Sequence, residues 1–129
     1  MKKFTCMAAS LALVALTVTA FAADEAKPDV KPITKVMLAR LGWVQSITKN
    51  IAYSNYDAVA KDANELAAQT KKVGDAAPAA FNKEKNLAIS GMALAMADAA
   101  GKKDGAAISA KFGEILSTCN TCHAKLRDK

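Results

Sequence analysis

Near its C-terminus the chain reads Ser117-Thr118-Cys119-Asn120-Thr121-Cys122-His123-Ala124-Lys125-Leu126-Arg127. Cys119, Cys122 and His123 form Cys-x-x-Cys-His. At this spacing two thiols can add to the two vinyl groups of one porphyrin while the adjacent imidazole ligates its iron. On a helix the three residues stand at i, i+3 and i+4, on one face and within about one turn, so all three address the same flat ligand. His123 is the sole histidine. A lone histidine is usually an ordinary core or surface residue, but directly after two cysteines so spaced it reads as the proximal iron ligand. Two other chemistries use the same residues. A redox dithiol wants its Cys-x-x-Cys at the opening of a helix, where the dipole lowers a thiol pKa. A structural zinc site wants four ligands. The motif therefore predicts one covalently bound haem c per chain, held by Cys119 and Cys122, with a dithiol and a zinc site as the alternatives.

The start of the chain bears on the compartment. Lys2 and Lys3 precede an apolar run from Cys6 to Ala20, and Ala20-Phe21-Ala22 supplies small residues before Ala23. This is the layout of a secretory signal peptide over residues 1–22, with an apolar run short for a membrane span. Cys6 opens that run, so it belongs to the leader and is not a lipidation site. Export and Cys-x-x-Cys-His support each other, because haem is attached to such motifs outside the bacterial cytoplasm. The expected location is periplasmic, with no stable membrane insertion. Without the leader, sixteen basic residues stand against twelve acidic, a net of +4. Two propionates would bring this to about +2, which says little beyond solubility. The lysines are scattered and the aromatics few, so no nucleic-acid partner is expected.

Four helical stretches must position the motif. Residues 23–32 read as a loose lead-in, with Pro32 suited to a first helical turn, and 33–129 as the folded domain. Ile33, Met37, Leu41, Val44, Ile47 and Ile51 recur at helical spacing and predict a first helix ending near Tyr53. Asn55 caps a second, whose seam is Tyr56, Val59, Ala63, Leu66, Thr70 and Val73, with Gly74 as its stop. A third runs from Phe81 or Asn82 to Ala100, with Ile89, Met92, Met96 and Ala99 inward and Ala88 and Ala95 beside them. Asp104 caps a fourth that carries Ile108, Phe112, Ile115, Cys119, Cys122 and Leu126 on one seam. Short connections predict an all-α, antiparallel up-down four-helix bundle with covalently attached haem, about 25 to 30 Å long. Trp43, Tyr53, Tyr56, Phe81 and Phe112 are the only aromatics after the leader, so the core looks underfilled unless a bulky guest occupies it.

A C-terminal Cys-x-x-Cys-His on the last of four helices resembles the class II c-type cytochromes, cytochrome c-prime and cytochrome c-556. Gly42-Trp43 and the helix start Tyr56-Asp57-Ala58 look family-like as well, while Leu126-Arg127 departs from the family's usual aromatic before the arginine. The resemblance implies an electron-transfer haem protein rather than an enzyme, with periplasmic redox proteins as partners. It also implies a distal residue from the first helix, here Val36, Met37 or Leu38, and a homodimer as one assembly. Periodicity favours Met37, which would give His/Met ligation and a one-electron carrier. A non-ligating residue there would instead leave an open site that binds NO or CO. Arg40, next to the seam, is a candidate partner for a haem propionate, with a snorkelling surface arginine as the alternative.

Overall fold

The computed structural model describes residues 31–127, with side chains to Leu126. The leader and most of the lead-in lie outside the described residues. Within them the chain is all-helical: α1 (Pro32–Ala52), α2 (Tyr56–Ala76), α3 (Ala80–Gly101) and α4 (Gly105–Arg127). Each helix packs on the next in sequence, α1 on α2, α2 on α3 and α3 on α4. Three-residue connections force consecutive helices to run antiparallel, giving a four-helix bundle.

Pro32 opens α1 at its first turn, as its missing N–H permits. Two of the three connections use one device. Ser54 and Lys103 adopt left-handed backbone, with φ of 54° and 57°. The residue after each closes the preceding helix, Asn55 N–H donating to Asn50 O and Asp104 N–H to Ala99 O. The same two residues then cap the next helix. Asn55 Oδ1 accepts from Ala58 N–H at 3.3 Å, and Asp104 Oδ1 from Ala107 N–H at 3.0 Å. One residue therefore ends one helix and starts another, which keeps the reversals short.

Gly74 does not stop α2, which continues to Ala76. Its role is close approach: a Cβ there would stand 3.1 Å from Asn86 Cβ and from the Leu87 side chain. The helices span 21 to 23 residues, or about 32–35 Å against the expected 25 to 30 Å, although α1 itself keeps its expected length.

The seam of α2 is as expected, with Val59, Ala63, Leu66 and Thr70 buried. That of α1 is covered in part as expected, with Ile47 buried and Met37, Val44 and Ile51 half-buried. Ile33 and Leu41, however, are 53% and 50% exposed, and Arg40 is buried, with Val36 and Trp43 half-buried, on the covered side. On α3, Ala88 and Ala95 face water and Ser90 and Ala93 are buried in their place. Both corrections have one cause. Apolar spacing defines a stripe more than 100° wide, and the partner helix selects which part of it is covered.

The core is not centred. The largest fully buried apolar side chains are Ile47, Leu66, Met96, Ile108, Ile115 and Val59. All lie from mid-bundle toward the end formed by the 53–55 and 102–104 connections. The other end gathers the N-terminal halves of α1 and α3 and the C-terminal halves of α2 and α4, and what is buried there is largely small or polar.

Candidate functional site

The C-terminal half of α4 places the Cys-His motif at this second end. Thr118 and Thr121 donate their hydroxyls back to Glu114 O and Ser117 O at 2.9 and 3.0 Å. These bonds tie both threonines to the helix backbone instead of leaving them to compete with it. Cys119 and Cys122 are free thiols, each half-buried, and Cys119 packs against the apolar core. His123 is exposed and makes no side-chain hydrogen bond among the described residues. The fourth-helix seam is thus buried at Ile108 and Ile115 and opens progressively through the cysteines to Leu126, which is 49% exposed. The motif stands where a dry core gives way to solvent.

Arg40 is the unexpected member of this region. It is only 9% exposed, so it is not a snorkelling surface residue. Its Nε donates to Gln69 Oε1 at 2.7 Å and its Nη2 to Asn86 Oδ1 at 2.6 Å. Gln69 Nε2 in turn donates to Val36 O at 3.2 Å, and Asn86 Nδ2 to Asn82 O at 2.7 Å. One side chain of α1 is thereby pinned to α2 and α3. All its described acceptors are neutral amides, so a buried positive charge stands without a carboxylate, an arrangement that favours a bound anion. Burial pulls the guanidinium below its ordinary pKa, and the nearby Cys119 and Cys122 thiols act in the opposite sense. Burial likewise pushes the Cys119 thiol up, while the charge of Arg40 draws it down.

Gln69 and Asn86 are members of the site that the sequence reading does not single out. Asn86 carries a signal: it continues the α3 seam backward from Ile89, Ala93 and Met96 at steps of three and four, a polar residue at a core position. Gln69 carries none, since it lies one residue from Thr70 on the flank of its helix.

Of the three distal candidates on α1, Val36 and Met37 are half-buried and Leu38 is 57% exposed. Leu38 is turned from the bundle; the other two flank Arg40 on its inward side. Met92 and Phe112 pack against the core, and Met96 is part of it. Lys125 stands over the Phe81 ring, 4.0 Å from its centroid, joining the end of α4 to the start of α3. The Arg127 side chain lies outside the described residues.

This donor set fits a porphyrin. Two thiols and an imidazole share one helix face that is half-buried at the cysteines and open at His123. At the same end of the bundle, buried Arg40 has no carboxylate partner among the described residues. It fits the alternatives less well. The Cys-x-x-Cys sits in the last turns of α4, not at its start, and burial raises the Cys119 pKa rather than lowering it. Among the described residues no group of three or more His, Cys, Asp or Glu side chains converges as a metal cage. A shallow surface depression lined by Ala68, Lys71, Lys72, Asp75 and Ala76 holds no comparable chemistry. No helix of the described residues is long and apolar enough to cross a membrane. Comparison with protein-family models, curated proteins and solved structures gave no match for this chain.

Proposed function

We propose that this chain is a monohaem c-type cytochrome of the class II kind, exported to the periplasm, and that it carries single electrons between proteins. The observation that carries the reading is one face of α4 that brings together half-buried Cys119 and Cys122 and exposed His123, with buried Arg40 held by the neutral amides of Gln69 and Asn86 at the same end of the bundle. Cys119 and Cys122 are the points of covalent attachment, and His123 is the proximal ligand. Haem bound there supplies an iron that cycles between ferrous and ferric.

The chain's own residues do the rest. Arg40 offers charge to a propionate while Gln69 and Asn86 hold its guanidinium in place. Cys119 packs against the apolar core, and the less water reaches a haem, the higher the potential at which its iron accepts an electron. Met37, half-buried on α1, is the distal ligand of the carrier reading. A second reading rests on Val36, which is buried to a similar degree and cannot ligate iron. A five-coordinate site would follow, binding NO or CO.

An absorption spectrum of the chain matured with the haem-attachment machinery separates these readings. A low-spin ferric form with a sulfur–iron charge-transfer band is the expected result, abolished in Met37→Ala. A high-spin form that responds to CO would replace the carrier with the gas binder. A protein without haem bands would sink both.

A further inference from the structure

The lysines that look scattered in sequence are not scattered in space. Segments 31–41, 67–90 and 116–127 form the motif end and hold nine basic and two acidic residues. Segments 42–66 and 91–115 form the opposite end and hold five basic and six acidic. Among the described residues the bundle therefore carries +7 at the motif end against −1 at the other. The two motif-end acids are already engaged, Asp75 with Lys71 at 2.6 Å and Glu84 with Lys85 at 2.8 Å. Lys31, Lys35, Lys72 and Lys83 are exposed and form no ion pair among the described residues. Exposed apolar side chains accompany them: Ile33, Leu38 and Leu41 on α1 and Leu126 on α4 are each about half exposed or more. Apolar residues among positive charge give the composition of a transient protein interface.

We infer that the motif end is a docking surface for an acidic protein, and, resting on the haem reading, that this protein is the electron partner. Complementary charge of this extent speeds encounter and orients the partner toward the motif. A second copy is a poor occupant, because two such ends face each other with like charge. A lipid surface is also a poor match. The cations come from four helices around one end rather than from a single amphipathic helix, and the aromatic anchors are misplaced. Trp43 and Phe81 are half-buried, and exposed Tyr53 lies at the opposite end.

The test is a titration of the isotope-labelled, haem-loaded chain with poly-L-glutamate, followed by amide chemical shifts. Shifts should move in the three motif-end segments and vanish by about 0.5 M salt. The exposed triple variant K35E/K72E/K83E should bind about tenfold more weakly, and the far-end triple K49E/K61E/K103E should stay within about twofold of the parent. Equal losses in both triples, or shifts at the far end, overturn the proposal. Tighter binding to phosphatidylcholine vesicles containing about one-third phosphatidylglycerol than to poly-L-glutamate overturns it in favour of a lipid surface. The haem reading fails separately: a chain without haem bands that still binds poly-L-glutamate through this end keeps the docking surface and loses the electron partner.

Discussion

Arg40 is a buried cation held between two neutral amides. A guanidinium stays charged when buried, so its environment has to supply acceptors, and here Gln69 and Asn86 do so. Removing an acceptor strands the charge. Asn86→Ala should lower the unfolding free energy in urea by about 2–3 kcal/mol. Gln69→Ala should cost less, since Gln69 is only part-buried. If both variants unfold at the parental midpoint, the network does not hold Arg40 in solution. A second expectation concerns Cys119 before haem is attached. Its folded pKa is raised by burial, so the folded state binds the thiol proton more tightly than the unfolded one. That contribution to stability is fully present below the ordinary thiol pKa of about 8.5 and is lost as pH rises through the folded value. In the haem-free chain, alkylation of Cys119 should therefore set in at higher pH than for a free thiol. Replacing Arg40 with Gln should delay it further, because the charge that draws the pKa down is gone. An onset unchanged in that variant would show that the two groups are too far apart to interact.

At the scale of the element, two glycines in helices should behave in opposite ways. At Gly91 a methyl group would meet nothing within 4 Å, and the site is exposed. Gly91→Ala should stabilise by about 0.5–1 kcal/mol through helix propensity alone. At Gly74 the same methyl would press on Asn86 and Leu87, and overpacking of this kind costs about 1–3 kcal/mol. Thermal unfolding should therefore raise the midpoint for the first and lower it for the second. The connections make a related prediction. Ser54 and Lys103 occupy left-handed backbone that glycine adopts without strain. Ser54→Gly and Lys103→Gly should each be neutral to stabilising by up to about 1 kcal/mol, whereas Asn55→Ala and Asp104→Ala should each lose about 1 kcal/mol with the cap.

The molecule as a whole is divided into a dry half and a polar half. Burial of Ile47, Val59, Met96, Ile108 and Ile115 is concentrated away from the motif, while Arg40, Asn86, Thr70 and Ser90 are the buried polar residues nearer to it. Thr70 and Ser90 are satisfied by backbone carbonyls, Ser90 Oγ donating to Ala67 O at 2.9 Å across the α2–α3 interface. Local stability follows buried apolar contact. In the haem-free chain, amide exchange should be slowest around Ile47, Leu66 and Ile108 and faster in residues 32–40 and 116–126. Covalent haem should slow exchange chiefly in those faster segments. Uniform protection in the haem-free chain would mean that the motif end is complete without a guest.

The chain's own order of residues determined four helices, their caps at Asn55 and Asp104, the start at Pro32 and the grouping of Cys119, Cys122 and His123 on one helix face. These are local properties: periodicity, capping and spacing act within a few residues, and no partner is needed to read them. Only the tertiary structure decided which part of each apolar stripe is covered. That turned Ile33, Leu41, Ala88 and Ala95 outward, carried Arg40 inward to amides 29 and 46 residues away in sequence, and made Gly74 a contact point instead of a stop. It also gathered the positive charge. Evenly spread lysines became a one-ended field because antiparallel packing superimposes the halves of α1 and α3 that begin their helices on the halves of α2 and α4 that end theirs. The Cys-His motif marks its own chemistry in one dimension, but the surface through which a partner would reach it exists only once four distant segments share an end.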